Sequence, residues 1–88
     1  VKPRLDQVLV WLEQGRAAVQ VEYFDALGRL RRETFHRPTR DLGQALEEVA
    51  HLLADEGMQG RPRVRRKQGS GLRVEPGLQE RFWKALGS

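Results

Sequence analysis

Apolar residues near the start of the chain recur at Leu5, Val8, Leu9 and Leu12. Spacings of three, four and seven line one face of a helix. Pro3 suits its first turn, and Gly15 stands where a left-handed residue would end it. Val10 and Trp11 fall outside that stripe and leave the segment apolar round more of its circumference than one buried face needs. The next pattern is different. Ala17–Phe24 and Arg29–Phe35 are two β-prone runs joined by Asp25-Ala26-Leu27-Gly28. Asp at the first turn position and Gly at the fourth predict a type I turn with a glycine bulge. That turn sets Asp25 opposite Arg29, Glu22 opposite Arg32 and Gln20 opposite Thr34, and gathers Val19, Val21, Tyr23 and Phe35 on a core face. Arg31 and Glu33 land on the same face, so either the register slips by one residue or the hairpin forms an edge.

Arg37-Pro38-Thr39-Arg40 breaks the second strand, and Asp41 with Gln44 three residues on is a capping-box arrangement. Leu42, Ala45, Leu46, Val49, Leu52 and Leu53 then form a broad helical stripe that Gly57 stops. Arg61–Lys67, Gln68-Gly69-Ser70-Gly71 and Leu72–Glu75 read as two short strands about a Gly-rich turn, or as a flexible arm anchored only by Val64, Leu72 and Val74. Pro76 opens a last helix with Leu78, Phe82, Ala85 and Leu86 on one stripe and Trp83 off it. The order is α-β-β-α-(β-β)-α. It predicts one α+β domain over residues 1–88, an antiparallel sheet with helices packed on one face. Tyr23-Phe24-Asp25-Ala26-Leu27-Gly28-Arg29-Leu30 resembles one unit of the YD repeats of large secreted toxins. The unit occurs once where those families need many, so the likeness is one of turn chemistry.

At 88 residues there is room for one domain, and so small a domain buries a modest share of its surface. The absence of Cys excludes disulfides, thiolate metal sites and cysteine catalysis. No apolar run approaches the ~18 residues of a membrane span and no signal-peptide core is seen, which predicts a cytoplasmic protein without membrane contact. A chain that begins at Val1 has lost its initiator Met or is a fragment. Arg outnumbers Lys 13 to 3 and there is no Ile or Asn, a bias that base composition alone produces. Where the charges sit says more.

Asp41, Glu47, Glu48, Asp55 and Glu56 give the central helix five acids and no base. Arg61, Arg63, Arg65, Arg66, Lys67 and Arg73 form a run of six bases without an acid, and Arg29, Arg31 and Arg32 begin a second basic run. A concentrated basic segment beside glycines can follow a phosphate backbone and release its counterions, and guanidinium groups grip phosphate bidentately. These nine residues are the candidate contacts to DNA or RNA. The competing structural reading pairs them with the acidic helix of the same molecule. No base-reading signature accompanies them, so the expected binding carries little sequence specificity.

Other motifs carry less. Gly57-Met58-Gln59-Gly60 matches the G-x-x-G of K-homology domains, but Arg61-Pro62 and a β-prone run follow it instead of a helix, so it reads as a helix stop plus a turn. Glu47, His51 and Asp55, four residues apart, read as a solvated helix face and not as metal ligands. His36 near Asp41 lacks a nucleophile to serve, and Gly69-Ser70-Gly71 has the wrong spacing for a nucleophile elbow. Neither catalysis nor a cofactor is expected. The surplus residues Val10, Trp11 and Trp83 suggest the alternative function, an interaction domain whose terminal helices pair two copies as a homodimer.

Overall fold

Alternation, not helical periodicity, governs the first segment: Arg4–Glu13 is a strand, β1, where a helix was expected. The computed structural model describes residues 2–68, 71–74 and 76–87. In it β1 pairs antiparallel with β2 (Arg16–Phe24) through Gln14-Gly15, whose φ angles of 52° and 75° make the two-residue turn that matches strand twist. Gly15 thus ends a strand and not a helix. Pairing steps from Leu5–Tyr23 straight to Gln7–Glu22, leaving Asp6 as an extra residue in β1. This bulge places Leu5 and Val8, three apart, on the same buried face, and Val10 follows by ordinary alternation. The bulge supplies the three-residue step that imitates a helix. Val10 is surplus on a helix but core on a strand.

β3 (Leu30–Arg37), α1 (Leu42–Asp55), β4 (Arg63–Gln68), β5 (Gly71–Val74) and α2 (Pro76–Leu86) complete the α+β chain. The sheet order is β3-β2-β1-β4-β5. β2–β3 and β4–β5 are antiparallel as expected, but β4 runs parallel to β1, so the sheet is mixed and not wholly antiparallel. The cause is α1, which carries the chain back along the sheet before β4 begins. Its N-terminus is capped by Asp41 Oδ1, which accepts from Gln44 N–H at 3.2 Å, while Asp41 N–H donates to Thr39 Oγ1 at 3.1 Å in the place a capping box gives to Gln44. Leu42, Ala45, Leu46, Val49, Ala50 and Leu53 of α1 and Phe82 and Leu86 of α2 pack on Leu5, Val8, Val10, Ala17, Val19, Val21 and Val64, so both helices cover one face. Leu52, expected in the stripe, is 43% exposed. Among the described residues no helix is long and apolar enough to cross a membrane.

Between α1 and β4 the chain runs along the start of β1, where Leu5 N–H donates to Gln59 O at 2.8 Å and Gln59 N–H to Pro3 O at 3.2 Å. Gly60 is required there. Its φ is 125°, and a Cβ would stand 3.1 Å from the Leu5 carbonyl oxygen.

The β2–β3 hairpin has the register its turn predicts, with Glu22 opposite Arg32 and Gln20 opposite Thr34. β3 is an edge, which explains why Arg31 and Glu33 share a face with Val19 and Val21. Gly28, at φ 81°, donates its N–H to Asp25 O at 2.9 Å. The Asp25 carboxylate accepts from the N–H groups of Arg29 and Leu27, both at 2.9 Å, and faces the Arg29 and Arg31 guanidinium groups at 3.3 and 3.1 Å. The Arg29 backbone bond foremost, with Arg31 and Leu27 adding to it, holds the Asp25 pKa at about 2, below its ordinary 3.8.

Because folding lowers that pKa, Asp25 favours the folded chain above pH 3.8, and its contribution disappears as pH falls toward 2. Asp25→Asn should lower the melting temperature at pH 7, and the gap from the parent should close between pH 4 and pH 2, as followed by circular dichroism (pH bounds rounded from those values). Phe82 is fully buried between the helices and the sheet. Phe82→Ala should cost about 3–5 kcal/mol in urea unfolding, whereas Leu27→Ala, at a position 76% exposed, should stay within about 0.5 kcal/mol of the parent.

Candidate nucleic-acid interface

β4 reads Arg63-Val64-Arg65-Arg66-Lys67, and period-two alternation divides it between two surfaces. Val64 is fully buried beneath the helices, which turns Arg63, Arg65 and Lys67 to the face that no helix covers. Pairing with β1 sets Arg63 beside Gln7 and Arg65 beside Leu9. One step further, Lys67 Nζ stands 5.1 Å from the centroid of the Trp11 ring. Leu9 and Trp11, both partly exposed, therefore form an apolar lane along β1, with a single row of cations along β4. Ala18, opposite Trp11 on β2, is fully buried although it too points away from the helices.

Farther across this face carboxylates meet Arg32 and His36. The buried Glu22 carboxylate accepts from the Gln7 amide and from Arg32 at 3.2 Å. The Gln7 hydrogen bond, more than the Arg32 charge, holds its pKa below the ordinary carboxylate value against the opposing effect of burial. His36 Nε2 lies 3.4 Å from Glu13, so this histidine faces a carboxylate on β1 and not Asp41. Gln20 donates to Thr34 at 3.3 Å.

The sequence-derived basic residues separate into groups. Arg63, Arg65 and Lys67 line the open face, and among the described residues no ion pair engages them. Arg32 also reaches that face but is held by Glu22. Arg29 and Arg31 are tied to Asp25 at the hairpin turn. Arg61 is exposed and lies over the Trp83 ring at 5.5 Å, away from the row. Arg66 is partly buried on the helix side, beside Val10. Arg73 pairs by backbone with Arg66, and its side chain lies outside the described residues, as do Gly69 and Ser70 of the Gly-rich turn. The nine candidates thus do not form one surface.

Among the described residues no ion pair joins them to the acidic helix either. Glu47 pairs with Arg81 of α2 at 2.9 Å and Glu48 with Arg37 at 3.6 Å, both on the helix side of the sheet. Among the described residues no three acids or histidines come together to hold a metal ion, Glu47, His51 and Asp55 included.

The residues assigned to an oligomer interface are placed differently from each other. Val10 is fully buried and unavailable to a partner within this fold. Trp83 is packed against the core, and its indole N–H donates to Pro62 O at 2.8 Å. Trp11 alone of the three lies on the open face. Its meeting with Lys67 escapes a helical reading of β1, although the alternation on β4 and the two large apolar residues left over at positions 10 and 11 both signal it. No protein-family model, curated protein or solved structure matches the chain.

Proposed function

We propose that the protein is a small nucleic-acid-binding module that engages the phosphate backbone of DNA or RNA through Arg63, Arg65 and Lys67 on the helix-free face of its sheet. One observation carries this reading: three cations stand in a row on an open face, while Glu47 and Glu48 of α1 lie on the other layer and meet Arg81 and Arg37 instead. A polyanion laid on that row gains charge-assisted hydrogen bonds and counterion release without first breaking an internal ion pair. Phosphate contacts of this kind fix position but read no bases, which fits binding of low sequence specificity.

Engaging three phosphates gives a log–log salt slope of about −2 on a single strand and about −3 on duplex. Joint replacement of Arg63, Arg65 and Lys67 by Ala should weaken binding at least about tenfold at 50 mM salt and flatten that slope toward zero. The same measurement on Arg29→Ala/Arg31→Ala, whose guanidinium groups are already held by Asp25, should show a markedly smaller loss. Fluorescence anisotropy with labelled 12-mers reads both, with thermal melting to establish that each variant is folded. Absence of binding by the parent protein to every strand form at about 50 mM salt overturns the proposal.

A further inference from the structure

Among the described residues the continuous line of charge on the open face is the one along β4, while Arg4 and Arg16 stand singly at the two ends of the β1–β2 pair. Duplex DNA presents two phosphate strands across a groove, and a surface built for it carries cations along both. Here β4 supplies a row, and on its β1 side the neighbouring residues are Leu9 and Trp11 in place of a second row. Farther across, Arg32 is held by Glu22, and His36 faces Glu13. Alternate residues of a strand lie about 6.6 Å apart, a step comparable with that between phosphates of an extended single strand. A backbone over Arg63, Arg65 and Lys67 would therefore lay its bases over the apolar lane.

We infer, building on the nucleic-acid reading above, that the ligand is an unpaired strand, with Trp11 as the platform on which one base stacks and Lys67 as the cation that occupies that platform until the base arrives. In the free protein the Lys67 ammonium takes the electron-rich face of the indole. An incoming base competes for the same ring face, and the ammonium it displaces moves to the adjoining phosphate. Neither group loses a partner in the exchange. Stacking of this kind tolerates any base, because every base has a π-face.

The experiment titrates the intact chain with dT12, U12, an abasic 12-mer and a 12-bp duplex at 50 mM salt, following tryptophan emission and anisotropy. Single strands should bind at least tenfold tighter than the duplex and quench the Trp11 share of the emission, leaving that of Trp83. Any preference between dT12 and U12 reports the 2′-hydroxyl and the C5-methyl together and supports the assignment in either direction. Trp11→Ala should weaken dT12 or U12 roughly five- to 150-fold, the range found for one stacked base. It should leave duplex and abasic binding within twofold, and Trp11→Phe should restore most of the loss at an unchanged melting temperature.

Duplex binding as tight as single-strand binding, or a Trp11→Ala protein that binds dT12 and U12 like the parent, overturns the platform while leaving the phosphate reading standing. No binding of any nucleic acid removes both. A Trp11 emission that shifts with protein concentration alone assigns the lane to a second copy of the chain and overturns the inference.

Discussion

The parallel pairing of β4 with β1 is the constraint on which the rest of the structure depends. It sets Val64 beside Val8 under the helices, and by alternation this turns Arg63, Arg65 and Lys67 outward next to Leu9 and Trp11. A slip of one residue would bury cations beneath Phe82 and expose Val64, at a cost of several kcal/mol for each unpaired charge. Register is therefore held by the same hydrophobic contacts that hold the fold. The open face inherits its geometry from the core.

Two layers of opposite charge result. The helix layer carries the three acids of α1 and the two that cap it, answered in part by Arg37 and Arg81, and the bare face of the sheet carries the row on β4. A sheet about one strand thick stands between them, too thick for direct ion pairs. Local carboxylates hold three basic side chains of the hairpin, with Asp25 facing Arg29 and Arg31 and Glu22 facing Arg32. A net charge of +4 over the whole chain thus conceals a much sharper local distribution.

Much of this was legible in the residues themselves. Asp25 and Gly28 specify the hairpin turn and its register, and Asp41 and Gly57 bound α1, because each of those positions has a local chemistry that few other residues satisfy. β1 was not legible in that way. A bulge at Asp6 breaks its period of two where a reader would count it, and the Leu5–Val8 step then satisfies a helical template. The error travels to the site: as a helix, the segment makes Val10 and Trp11 look like an interface, whereas as a strand it divides them between core and open face. Charge clustering marked β4 correctly, but a linear count of arginines cannot separate the outward Arg63 and Arg65 from the inward Arg66. Only the position of Val64 does that.

The row and the lane come from opposite ends of the chain and meet only when α1 has brought β4 home against β1. Whatever rests across that seam touches both strands at once, and so holds the β1–β4 pairing shut. Occupancy and folding are then thermodynamically linked, in proportion to the logarithm of ligand concentration. An unfolded chain keeps every one of its charges but has lost the seam.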